Sequence, residues 1–143
     1  MAPGNAGTAL EPGIQNLPVS ADDIDGLMNV AREHGIGLTI VGPEAPLVNG
    51  IVDTFTAAGL RCFGPSAAAA QLEGSKSFTK DFLARHNIPT AAYQTFSELQ
   101  PALDYIREVG APVVVKADGL AAGKGVIVAQ DLAEAERAAE SML

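Results

Sequence analysis

The sequence predicts an α/β fold, with parallel winding over residues 1 to about 64, a helical connector at 65–91, and a smaller unit at 92–143 built on an antiparallel sheet. Three observations predict it. Helical stripes alternate with brief apolar runs as far as Phe63, an Ala-rich stretch then leads into a second helical pattern, and two β-rich arms near the far end flank a single glycine-rich loop.

Residues 1–19 are rich in Gly, Pro and Asn and show no sustained period, so they read as loop. Ser20 is the expected N-cap of the first helix, with Asp23 in its first turn and Ile24, Leu27 and Val30 as a stripe that stops before Gly35. Leu38 to Val41 follows as a short apolar run expected to be a buried strand. Gly42-Pro43-Glu44 breaks it, and Pro46 is expected to open a second helix whose Leu47, Ile51, Val52 and Phe55 share a face ending at Gly59. Arg61 to Phe63 is a second brief strand, and helix, strand, helix, strand is the order of parallel winding.

After Pro65 an Ala-rich stretch leads to Gly74-Ser75 and then to the helical spacing of Phe78, Phe82 and Leu83, which ends before Pro89. A strand is expected from Tyr93. The next helix has Ser97 as its cap, Gln100 three residues on, Leu99, Leu103 and Ile106 as its buried face, and Gly110 as its stop. Pro112 to Ala117 then reads as a strand, Asp118 to Gly125 as a loop, Val126 to Ala129 as the returning strand, and the last helix as capped by Asp131 with Glu134 at its third position. Glu134, Glu136 and Glu140 are expected on its solvated side, and His34 and His86 at helix C-termini, where a partly charged imidazole suits the dipole.

Composition limits the function. Hydrophobic residues make up 48% of the 143 and charged residues 18%, enough to bury a core. Nine basic residues against seventeen acidic, net −8, exclude general affinity for nucleic acid or an anionic membrane, so any phosphate must be held by a local site. Cys62 is the only cysteine, which rules out an intrachain disulfide or a cysteine-based metal cluster and suits a reducing cytoplasm; its place in a short strand expected to be buried suggests packing and not catalysis. The opening MAPGNAGTAL lacks the basic and apolar regions of a leader, and no apolar run approaches the ~20 residues of a membrane helix. A cytoplasmic protein is therefore expected.

The stretch from Val113 to Val128 carries the clearest chemical signal. Its loop holds Gly119, Gly123 and Gly125 with Lys124 and no proline, so backbone N–H groups can converge on an anion without Cβ interference. The spacing G-x-x-x-G-K-G, with no Ser or Thr after the lysine and a strand following, is not a Walker A loop. Strand alternation puts Lys116 on one face with Val114 and Asp118, where its ammonium would meet an α- or β-phosphate. The same residues also suit a plain glycine-rich hairpin with Lys116 reaching to solvent. Lys76, at a helix start where the macrodipole disfavours a cation, makes sense beside a bound phosphate or as a solvated side chain; Lys80, a turn later, suits solvent better. Gly42, Pro43 and Glu44 lie at the carboxyl edge of a strand, where α/β folds place ligands, although Glu44 would also serve as a first-turn acid. The loop containing Asn5 has the composition of a ligand loop and of any long surface loop. No residue stands out as catalytic, and no metal-ligating cluster is visible.

Together, PGNAGTAL at Pro3 to Leu10, TIVGPEAPLVNGIVDTF at Thr39 to Phe55, QLEGSKSFTKDFLARHNIPTA at Gln71 to Ala91 and VVKADGLAAGKGVIVA at Val114 to Ala129 resemble the phosphoribosylamine–glycine ligase family of the ATP-grasp superfamily. The resemblance implies a partial doubly wound N-terminal domain, a connector at the ATP site and part of the small ATP-grasp subdomain. It implies ligation of glycine to 5-phosphoribosylamine in purine synthesis, with ATP cleaved to ADP and phosphate through a glycyl phosphate. It further implies that Lys76 and Lys116 contact ATP phosphates under the Gly119 to Gly125 loop, with Asn5 and Gly42 to Glu44 near the phosphoribosylamine. The family's first strand, its GNGGREHA-like loop, and the Glu and Asn that hold magnesium (or manganese) are expected outside this segment, which therefore looks truncated at both ends and is not expected to act alone. Another ATP-grasp ligase or carboxylase, or a non-catalytic nucleotide-binding module, is the competing expectation; no oligomeric state is implied.

Overall fold

A computed structural model describes residues 1–121 and 125–143, which form two compact units, Met1–Gly74 and Ser75–Leu143. In the first, a 3-10 turn at Thr8–Leu10 precedes α1 (Ile24–Glu33), β1 (Thr39–Ile40), α2 (Glu44–Val48), α3 (Ile51–Ala57), β2 (Cys62–Phe63) and α4 (Ala67–Gly74). β1 and β2 pair in parallel, Thr39 opposite Cys62 and Ile40 opposite Phe63, as the alternation requires.

The boundaries differ from expectation for identifiable reasons. Asp23, not Ser20, caps α1: its side chain accepts the Gly26 amide at 2.9 Å, because the helix starts where Ile24 first turns toward the core. The single helix expected from Pro46 is two. Pro43 caps α2, and the chain breaks at Gly50, whose φ of +86° no helix accommodates and few other residues adopt. Ala31, Ile51 and Phe55 form the core, with Leu27, Leu47, Val52 and Cys62 packed against it. Burial raises the Cys62 thiol above its ordinary pKa, which suits packing and not nucleophilic chemistry. The apolar strands are not wholly buried as expected, since Ile40 and Phe63 share a face that is 71% and 68% exposed. α4 lies so close to α2 that a Cβ at Gly74 would stand 2.8 Å from Val48 Cγ2.

The second unit comprises α5 (Lys76–Arg85), α6 (Leu99–Val109), β3 (Val113–Lys116), β4 (Val126–Ala129) and α7 (Leu132–Met142). β3 and β4 are antiparallel, as the hairpin reading requires, with Val113 opposite Ala129 and Lys116 opposite Val126. Leu103 and Ile106 of α6 meet Ala129, Ala135 and Ala139 in the core, and Val113 and Val115 pack on it from the sheet. The alanines let α7 approach closely.

No strand forms at Tyr93. Instead Lys80, expected to be solvated, donates to Thr90 Oγ1 at 2.7 Å and to the Ala91 carbonyl at 3.0 Å, and Tyr93 donates to Asp81 at 2.9 Å. α6 starts after Glu98 and not Ser97, with no side-chain cap, and Pro101 falls in its first turn, where its missing N–H costs nothing. The expected caps of α7 hold: Asp131 accepts the Glu134 amide, and Glu134 in turn accepts the Gln130 amide, both at 2.8 Å. Glu134 is thus a capping group and Glu136 an ion partner of Arg107 at 2.7 Å, not merely solvated acids. His34 and His86 occupy the C-caps of α1 and α5.

Candidate nucleotide site

β3 carries Lys116 to the mouth of the glycine-rich loop on the sheet face that α6 and α7 leave open. Val114, Val126 and Val128 on that face are 47%, 42% and 57% exposed, whereas Val113 and Val115 on the other face pack inward. An ammonium thus stands beside an uncovered apolar surface, a pairing suited to a ligand with a flat apolar part and an anionic tail. The loop closes through the Ala117 amide, which donates to the Gly125 carbonyl at 2.8 Å. Gly125 is buried, and a Cβ there would come within 2.6 Å of Ala121 Cβ, so only glycine fits this return. Gly119 has φ +84°, an angle other residues rarely adopt. Gly123 and Lys124, also expected at the site, lie outside the described residues.

The N-terminus of α5 departs from the expected picture. Ser75 caps it, accepting the Phe78 amide at 3.1 Å. The anion at this end is the Asp118 carboxylate: Oδ1 accepts the Lys76 amide at 2.6 Å and the Ser77 amide at 3.3 Å, while Oδ2 accepts the Ser77 hydroxyl at 2.5 Å and the Ser75 hydroxyl at 3.1 Å. The Gly119 amide adds a bond at 3.0 Å. Lys76 Nζ donates to the Gly119 carbonyl at 2.8 Å, so the lysine sits at the foot of the loop. Sequence reasoning missed Asp118, Ser75 and Ser77; the serines bracketing a helix start were a donor-rich signal, but their partner stands 43 residues from Ser75.

These hydrogen bonds, that from the Ser77 hydroxyl foremost, hold the Asp118 carboxyl well below the usual carboxylate range. The charged form is the one that the fold favours, so its stabilisation is complete above about pH 4, the unfolded carboxyl's range, and is lost as pH falls further. Acid unfolding of the wild type below pH 4 should therefore be steeper than that of Asp118→Asn, as circular dichroism along a pH series would show.

In the first unit, Asn5 is committed to its own loop. Its side chain accepts the Thr8 amide at 3.0 Å, and its carbonyl accepts Asn16 Nδ2 at 2.9 Å. Pro43 and Glu44 form the cap and first residue of α2. No hydrogen bond joins that turn to the Asn5 loop among the described residues. A broad depression of about 550 Å³ beside Phe78, Asp81, Arg85 and Tyr93 includes none of the expected nucleotide-contacting residues. No group of three or more His, Cys, Asp or Glu suited to a metal, and no helix long and apolar enough to cross a membrane, occurs among the described residues.

The hairpin, its lysine and the glycine-rich loop belong to a recognised class: residues 74–143 match the phosphoribosylglycinamide synthetase ATP-grasp (A) domain. Residues 1–73 match the N domain of the same synthetase. The chain belongs to the phosphoribosylglycinamide synthetase family. It is 70% identical over 143 residues to the phosphoribosylamine–glycine ligase of Allochromatium vinosum and 68% identical to that of Escherichia coli strain K12, matching along its whole length. It spans 33% of each of those proteins. Among solved structures, the biotin carboxylase domain of Hydrogenobacter thermophilus 2-oxoglutarate carboxylase, determined with MgADP, ADP and bicarbonate, has a similar fold. The TM-score is 0.71 at 22% identity, over 85% of this chain and 27% of that one.

Proposed function

We propose that the chain supplies part of the substrate and nucleotide sites of a cytoplasmic phosphoribosylamine–glycine ligase, which joins glycine to 5-phosphoribosylamine and cleaves ATP to ADP and phosphate. Residues 1–64 would serve phosphoribosylamine through Asn5, Gly42, Pro43 and Glu44, 65–91 would connect at the ATP site, and 92–143 would form part of the small nucleotide-binding subdomain. The observation that carries this reading is Lys116 beside the uncovered valine face and the Gly119–Gly125 return. Identity of about 70% to ligases of this name supports it from the sequence side.

The residues present suit ATP. The valine face would take the base, and Lys116 and Lys76, with Gly119, Gly123, Lys124 and Gly125, would hold the phosphates. Bound ATP supplies the activated phosphoryl group, and this chain's share is to bind and orient it. The described residues do not suit a magnesium or manganese centre, so its ligands would come from elsewhere in a full-length ligase.

In a full-length ligase carrying this sequence, Lys116→Ala should weaken ATP binding ~10–100-fold, the scale of losing charge-assisted hydrogen bonds. Lys80→Ala should weaken it less, because Lys80 is occupied with Thr90 and Ala91. Calorimetric titration with ATP measures both, and equal affinities for the two variants would remove Lys116 from the site.

A further inference from the structure

We propose that Asp118 is a positioning residue for the nucleotide loop: its carboxylate is a built-in anion at the start of α5 that fixes Lys76 and Gly119 before any phosphate arrives. The inference rests on the nucleotide reading above and goes beyond it, because it gives the α5 N-terminus to the protein's own side chain instead of to the ligand.

The α5 N-terminus presents the free amides of Lys76 and Ser77 and the hydroxyls of Ser75 and Ser77, donors that with the helix dipole attract an anion. Asp118 takes all four, at 2.5–3.3 Å. This carboxylate also offsets the cost of placing the Lys76 ammonium at the positive end of a helix. Lys76 can then turn to the Gly119 carbonyl at 2.8 Å, one residue past the clasp. Both feet of the loop are thereby tied, the entering strand to α5 through Asp118 and the return through the Ala117 amide to the Gly125 carbonyl. With the Gly119 and Gly125 backbone fixed in advance, less of the binding free energy is spent on positioning these groups. Asparagine at 118 would keep the shape, but it loses the charge that the helix start and its amides favour, and its NH2 can be accommodated only if the Ser75 and Ser77 hydroxyls turn from donating to accepting.

The loss should fall on nucleotide binding and not on turnover. In a full-length ligase carrying this sequence, Asp118→Asn should raise the KM for ATP ~10–100-fold while kcat and the KM for glycine stay within about 3-fold, since a contact that acts equally in ground and transition states moves KM alone. Ser77→Ala, which removes one of the four donors at the α5 N-terminus, the Ser77 hydroxyl, and keeps the backbone amide, should raise the KM for ATP ~3–10-fold, and it decides the matter if Asp118→Asn does not fold. An unchanged KM for ATP in the folded Asp118→Asn, or in Ser77→Ala where the former fails to fold, overturns the proposal, as does an equal fall of kcat with KM unmoved. Lys116→Ala, run alongside, separates the two readings. If it leaves ATP affinity intact, the site itself is misplaced; if it weakens ATP while the clasp variants do not, only the role of Asp118 falls.

Discussion

Phe55→Ala should cost about 3–5 kcal/mol of folding stability, the range for deleting a buried aromatic ring from a core that cannot collapse around the space. Phe55 is fully buried between α1 and the parallel strands, together with Ile51 and Ala31. Its neighbours Leu27, Leu47 and Val52 come from three different helices, so no single movement refills the cavity. Urea denaturation should show the lost stability as a lower midpoint with an unchanged slope. Hydrogen exchange should quicken at the amides of α1 and α3 and remain as in the wild type at those of α6 and α7. A midpoint shift corresponding to less than about 1 kcal/mol would mean that the first unit repacks freely.

Ile106→Ala should cost about 2–5 kcal/mol, with the opposite exchange pattern. Ile106 and Leu103 are the large side chains against which Ala129, Ala135 and Ala139 lie, and those alanines have no side chain to swing into a vacancy. The proposed ATP site should suffer with the core, because Val113 and Val115 pack on this cluster and set the strand that presents Lys116. Calorimetry with ATP at a temperature where the variant is still folded would show weakened binding without any change at a contacting residue. Unaltered exchange at α6 and α7 would refute the assignment of this core.

What was legible in the sequence was mainly local. Val113 to Val115 and Val126 to Val128 are β-rich arms around a loop with three glycines, and such a pattern has few solutions besides a hairpin. The Asp131–Glu134 box reads directly because both partners lie within one helical turn. Ser20 and Asp23 are equally good caps by residue type, and only the burial of the α1 face decides between them. The break at Asn49-Gly50 carries a turn signal that the apolar spacing across it outweighed. Short apolar runs show that a strand is apolar but not which face is covered, hence the error over Ile40 and Phe63. Lysines 76 and 116 stood out because a cation at a helix start or in an apolar strand calls for an explanation. Asp118 did not, because a carboxylate after a strand is ordinary until the fold brings it to α5.

The contact between Gly74 and Val48 constrains how these positions can drift over generations. A methyl group at 74 meets a β-branched side chain that has little rotamer freedom to yield, so Gly74→Ala alone meets a collision. Val48→Ala alone leaves only a gap beside a half-buried position. A lineage can therefore reach the paired replacement by shrinking residue 48 first and not by enlarging residue 74 first. Any such paired replacement thus has a preferred order, in which the smaller residue at 48 must be present before a larger one at 74 is tolerated.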